Sequence, residues 1–219
     1  MSELFKNKYR IQSSRLPGWD YRNAGGYFVT ICTQNRECWF GEIRNGEMLL
    51  SDIGKIADQY WREIPEHFKN VQTDEFVIMP NHSHGILFLM EYNQNQKCRC
   101  CCRDVAMQRL YNNGDGGGDG DDDLIPKNLK MSQISPKPGS LSTIIRSYKS
   151  AVKRWAGQNN YPDFAWQPRF YDRVIRNNLE LQHIREYIWQ NPQKWELDSN
   201  HPQIQNAPQD WEDEDEFNF

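Results

Sequence analysis

The chain has 219 residues, with 26 lysines and arginines against 30 aspartates and glutamates and a formal net charge of −4. That length suits one ordinary domain with attachments, and no apolar run approaches the roughly 18 residues of a membrane span. The opening MSELFKNKYR lacks the apolar core of a secretion signal, so a membrane or secreted protein is not expected and a cytoplasmic one with reduced thiols is.

The negative charge is unevenly placed. Five aspartates stand in GDGGGDGDDD and six acids between Asp210 and Glu216; without these eleven, 19 acids face 26 cations. Acidic runs of this kind are solvated and loosely structured. The remaining chain is basic, which permits a polyanionic partner. Four of the six cysteines crowd into CRCCC, Cys98 to Cys102. Adjacent cysteines suit neither a disulfide framework nor the paired spacing of a zinc ribbon.

In chain order, RLPGWDYR reads as a loop or arm. GGYFVTICT, Gly25 to Thr33, reads as a strand of β-branched and aromatic residues. ECWFGEIRNGEMLLS reads as a hairpin around Asn45-Gly46, a strong turn signal. Ser51 or Asp52 can cap a helix running to about His67, with Ile53, Ile56, Ala57, Tyr60, Trp61 and Ile64 on one face. TDEFVIMP and HSHGILFLM are two further strands with Pro80 and Asn81 between them. Residues 93–139 lose periodicity and read as a low-complexity insertion. Periodicity returns in SLSTIIRSYKSAVKRWAG, a helix from about Ser140 to Ala156. DFAWQPRFYDRVIR is an extended-to-helical connection, and NLELQHIREYIWQNPQKW is a last helix stopped by Pro192. A domain over 1–197 is expected, followed by an acidic, disordered tail over 198–219. The fold class is α+β, a mainly antiparallel sheet of about four strands with helices packed on it.

The chemistry concentrates in IMPNHSHGILFLM. His82 and His84 stand at i and i+2 on a strand, so both imidazoles point to one face. A buried same-face pair is costly without a partner, and a divalent ion shared by two neutral imidazoles would be one. Two ligands rarely suffice. On the last helix His183, Tyr187 and Asn191 recur at i, i+4 and i+8 on one face. A tyrosine there is a candidate nucleophile, although its phenol needs activation.

MPNHSHGIL resembles the paired-histidine motif of the single-tyrosine HUH transposases of the IS200/IS605 type, and within them the REP-associated tyrosine transposases. RLPGWDYRNAGGYFVTICTQNRECWFGEI, DEFVIMPNHSHGIL, IIRSYKSAVKRW, WQPRFYDRVIRN and IREYIWQNPQKW resemble that family in its order, across most of residues 15–195. Ser83 departs from the bulky hydrophobe expected between the histidines, and residues 93–139 depart in length and composition.

The resemblance implies a ferredoxin-like HUH fold and a metal-dependent single-stranded DNA endonuclease and strand transferase acting at DNA hairpins. His82 and His84 would hold Mg²⁺ or Mn²⁺, with Asn191 as third ligand. Tyr187 would attack the phosphodiester, leaving a 5′-phosphotyrosine link and a free 3′ hydroxyl. Tyr148 and Tyr171 are the competing tyrosines. Lys149, Lys153, Arg154, Arg169, Arg173 and Arg176 would contact DNA phosphates, while Trp19, Tyr21, Trp166 and Tyr171 could stack on unpaired bases. The implied partner is single-stranded or hairpin DNA, with a homodimer compatible and a cytoplasmic, nucleoid-associated location. Two rival readings are a hairpin-binding protein that no longer cleaves and a metal or redox module centred on CRCCC.

Overall fold

A computed structural model describes residues 18–91 and 138–202 of the chain. Residues 92–137, which take in nearly all of the expected insertion and its cysteine cluster, lie outside the described residues, as do residues 203–219 with the terminal acidic run. Among the described residues, no helix is long and apolar enough to cross a membrane.

Strand β1 (Gly25–Cys32) opens the fold. Strands β2 (Gly41–Arg44) and β3 (Glu47–Leu50) form the expected hairpin. Its turn residues Asn45 and Gly46 have φ of 53° and 77°, the doubly left-handed turn that matches strand twist. Helix α1 (Asp52–Arg62) starts where the Ser51 hydroxyl accepts the Gly54 N–H at 3.1 Å, an N-cap bond. It stops short of the expected His67. Pro65, which has no N–H to continue an α-helix, sits instead in the first turn of a separate short helix, α2 (Ile64–His67). Strands β4 (Val71–Ile78) and β5 (His82–Leu89) follow. Helix α3 (Leu141–Gln158) is capped by Ser140, and helix α4 (Asn178–Gln190) by Asn177. Between them runs β6 (Tyr171–Ile175), and after α4 a 3₁₀ segment over Asn191–Leu197 carries Pro192 in its first turn.

The main sheet has the order β4-β5-β1-β6, with every neighbouring pair antiparallel. Setting the hairpin aside, the chain runs β-α-β-β-α-β, the ferredoxin-like pattern. The α+β expectation holds, with a different strand membership. The hairpin forms its own two-stranded sheet. The fourth strand of the main sheet comes instead from the segment read as a connection. Tyr171–Ile175 contains Asp172 and Arg173, poor strand formers; their extended conformation comes from pairing with β1, the context dependence expected of strand propensity.

Alternation along β1 and β5 separates two cores. Tyr27, Val29, Ile31, Leu87 and Leu89 join Ile53, Ala57, Trp61, Ile144, Tyr148 and Val152 from α1 and α3. Phe28 and Ile86 point to the other face and meet Ile184 and Ile188 of α4. The i, i+2 rule puts His82 and His84 on this second face. Gly85, between His84 and Ile86, meets the first core; a Cβ there would lie 2.3 Å from Trp61 Cζ2.

Candidate active site

β5 is a central strand, flanked by β4 and β1, so its opening residues are enclosed. His82 and His84 are 0% and 3% exposed, and their Nε2 atoms converge at 2.9 Å. Register supplies their supports. Thr30, opposite His84 on β1, lies with its Oγ1 2.8 Å from His84 Nδ1. Phe28 stacks on the His84 ring at 5.4 Å between centroids. Asn81, in the turn before the strand, places its Oδ1 2.8 Å from His82 Nδ1. Ser83 is buried on the opposite face, so its departure from a bulky hydrophobe does not reach the histidines.

α4 brings Tyr187 to the same place. Its hydroxyl is 3.3 Å from His84 Nε2, and its ring packs edge-on against His84 and Phe28 at 5.2 and 6.1 Å. Tyr148 is excluded from this site by the fold. It is buried in the first core between Trp61 and Trp166, and its hydroxyl donates to the Ala57 carbonyl at 3.1 Å. Burial drives its phenol well above the ordinary tyrosine range. Tyr171 is exposed in the edge strand β6.

The residue that sequence reasoning missed is Asp198. Read as the head of a loose tail, it is 9% exposed and presents Oδ2 to His82 Nε2 at 3.6 Å. Among the described residues, His82, His84 and Asp198 form the one group of His, Cys, Asp and Glu ligand atoms that lie within 4.8 Å of one another. His183 is not part of it. The sequence signal was faint: a single acid eleven residues beyond the tyrosine. Asn191 is 4% exposed, and its side-chain Oδ1 is buried without a hydrogen-bond partner. An orphaned buried carbonyl calls for an explanation such as a bound ion. Two imidazoles and a carboxylate, with no thiolate, form a donor set that could hold Mn²⁺ or Mg²⁺.

Burial holds the pair neutral. The His82 pKa is lowered to about 3, chiefly by desolvation and further by Arg36. Desolvation, then His82, pushes His84 well below the ordinary histidine value, with Asp198 opposing. Unfolded histidine titrates near 6.5, so between roughly pH 6.5 and pH 3 the unfolded chain takes up protons that the fold refuses. Stability is therefore complete above about pH 6.5 and falls with acidification, by up to about 1.4 kcal/mol per pH unit for each imidazole. Urea unfolding of the metal-free protein from pH 7 to pH 4 should show a falling midpoint, with a shallower slope in His84→Gln. A midpoint independent of pH would contradict the burial.

The expected DNA-contacting cations divide. Lys149, Lys153, Arg154 and Arg169 line one groove of about 430 Å³ between α3 and the connection into β6, with Arg146, Trp166 and Phe170. Lys149 donates to the Gln167 and Arg169 carbonyls, both at 2.7 Å, and burial lowers its pKa to about 8. Lys153 donates to the carbonyls of Pro162 and Phe164. Both lysines thus also pin the connection to α3. Arg154 and Arg169 are exposed. Arg173 and Arg176 stand apart from the groove lining. Arg173 pairs with Glu180 at 2.8 Å, and exposed Arg176 donates its backbone N–H to the same carboxylate. Of the expected stacking aromatics, Tyr21 belongs to the core and Trp166 is half-buried.

No protein-family model matches the chain. An uncharacterised protein of Haemophilus influenzae is 36% identical over 189 residues, which cover 85% of this chain and 91% of that protein. A second Haemophilus influenzae protein, named "Putative REP-associated tyrosine transposase", is 22% identical over 203 residues, covering 88% and 90% of the two chains. Among solved structures, a REP-associated tyrosine transposase bound to a REP hairpin shares 22% identity over 89% of this chain and 74% of that chain, with a TM-score of 0.46.

Proposed function

We propose that this chain, which belongs to the family of REP-associated tyrosine transposases, is a metal-dependent enzyme that cuts and rejoins single-stranded DNA at hairpins. The observation that carries the reading is convergence: two neutral imidazole Nε2 atoms, the Asp198 carboxylate and the Tyr187 hydroxyl meet at one edge of the second core.

In this reading His82, His84 and Asp198 hold a divalent ion, with the Asn191 side-chain oxygen as a further ligand. The ion, when bound, supplies positive charge at the scissile phosphate. The chain's own residues do the rest. Thr30 and Asn81 orient the imidazoles, and Phe28 and His84 hold the Tyr187 ring so that its oxygen faces the site. Attack by that oxygen forms a tyrosine O–P bond and breaks the bond from phosphorus to the 3′ oxygen. The phenol proton is balanced by the proton gained on the leaving 3′ hydroxyl. One phosphoester replaces another, so no external energy source is needed, and attack by a 3′ hydroxyl on the phosphotyrosine reverses the step. The cationic groove beside α3 provides a surface for the phosphates of the folded strand.

The test is covalent capture. Labelled single-stranded hairpin DNA from around the gene, incubated with the protein and Mg²⁺ or Mn²⁺, should give a protein–DNA band on a denaturing gel that a chelator removes. Hairpin binding without any band would favour a binding protein that no longer cleaves. Changing Arg154 and Arg169 together to alanine should weaken hairpin binding and lower the slope of log affinity against log salt by about two, one for each phosphate left without its arginine. An unchanged slope would remove the groove from the DNA path.

A further inference from the structure

The amide of Asn81 has two ends with opposite chemistry, and its surroundings leave it one orientation. Its Nδ2 lies 3.0 Å from the Arg36 carbonyl oxygen and 2.7 Å from the Asn200 carbonyl oxygen. Both partners only accept, so the NH₂ group must face them; the flipped amide would set its oxygen against two oxygens. Oδ1 therefore faces His82 Nδ1 at 2.8 Å, and as it only accepts, that nitrogen carries the proton. A neutral imidazole has one N–H, so His82 Nε2 is left as a bare lone pair pointing at His84 and Asp198. His84 differs. Its Nδ1 partner is the Thr30 hydroxyl, which can donate or accept and dictates no tautomer. With His82 Nε2 unprotonated and 2.9 Å away, the proton between the two rings belongs to His84 Nε2 in the metal-free protein. Since the Thr30 hydroxyl can also accept, that proton can move to Nδ1 and leave His84 Nε2 free for an ion.

The second acceptor on Asn81 comes from the segment that carries Asp198. The Asn200 N–H donates to Asp198 Oδ1 at 2.6 Å, and Arg36 Nη1 donates to the Ser199 carbonyl at 3.0 Å. We infer that Asn81 is a positioning residue that fixes the His82 tautomer with Nε2 free for the metal, and that docking of residues 198–200 locks Asn81 in that role while delivering the Asp198 carboxylate. The site is thus completed in one step by a segment more than 100 residues away in sequence. The inference rests on the proposed metal reading for its consequence but not for its first observable.

That observable is the tautomer itself, read by long-range ¹H–¹⁵N correlation on ¹⁵N-histidine-labelled protein without metal or DNA. The expected wild-type spectrum has His82 protonated at Nδ1 and His84 at Nε2. Asn81→Asp keeps an acceptor for His82 but loses the NH₂ that the Arg36 and Asn200 carbonyls accept from, so it should favour Nδ1–H while loosening residues 198–200. Asn81→Ala removes the acceptor and should yield a mixed or reversed His82 tautomer. In the same variant, affinity for Mn²⁺ titrated alone should fall by about 10- to 100-fold, the scale for losing an outer-shell partner of a histidine ligand. His82 protonated at Nε2 in the wild type, or an Asn81→Ala protein with wild-type tautomer and wild-type Mn²⁺ affinity, would overturn the inference. Circular dichroism checks folding; should Asn81→Ala not fold, the wild-type spectrum decides alone, and His82 protonated at Nε2 there overturns the inference. A wild type with the expected tautomers but no Mn²⁺ affinity would overturn the metal reading and uphold the tautomer assignment.

Discussion

Tyr187→Phe should abolish the covalent protein–DNA product, lowering cleavage by on the order of 10³-fold or more, as loss of a nucleophile does, while hairpin binding persists. The change removes one oxygen from a half-buried ring. The ring still packs on Phe28 and His84, and the 3.3 Å approach of the hydroxyl to His84 is lost, so stability should move by about 1 kcal/mol. Tyr148→Phe makes the opposite comparison. It deletes a core hydrogen bond to the Ala57 carbonyl and should cost about 1 kcal/mol in unfolding free energy, yet leave the covalent product in place. Denaturing gels and urea unfolding of both variants decide the matter. A band that survives Tyr187→Phe would sink the assignment of the nucleophile.

Asp198→Ala should reduce Mn²⁺ affinity by at least about 10-fold, a bound set by the effect of losing even an outer-shell partner, and cleavage should fall with it. The carboxylate faces His82 Nε2 on one oxygen and receives the Asn200 N–H on the other, so the substitution removes a charged ligand and loosens the segment that holds Asn81. Asn191→Ala separates the two candidates for the third position. Isothermal titration with Mn²⁺ on the two variants would show Asp198→Ala as the weaker binder; wild-type affinity in Asp198→Ala with a loss in Asn191→Ala would return the third ligand to Asn191. Deletions that probe the acidic tail must begin beyond Pro202 if they are to spare this site.

The legible parts of the site were local. His82 and His84 could be placed on one face because side chains alternate along a strand, and Tyr187 because residues four apart share a helix face. The helices α3 and α4 were readable from their apolar spacing, while the caps Ser140 and Asn177 came from the structure. β6 was not. Tyr171, Val174 and Ile175 favour a strand, but Asp172 and Arg173 break the run to five residues, and what fixes it is pairing with β1, far away in sequence. Tyr148 and Tyr187 looked like competitors in sequence because both stand on helices among charged residues. What divides them is the sheet: one helix packs on the face of Trp61, the other on the face of the histidines.

By itself, then, the sequence determined the periodicities, and with them the α+β class, the paired imidazoles and the helix that carries the tyrosine, since each depends on neighbours within one or two turns. Tertiary structure decided which ligands join them. Asp198 enters at the end of the 3₁₀ segment that follows α4, the His82 proton is set through Asn81 by a carbonyl 119 residues away, and Tyr148 is withdrawn into the core. Those outcomes depend on which donors meet which acceptors once burial removes water as an alternative partner, and no local spacing encodes that.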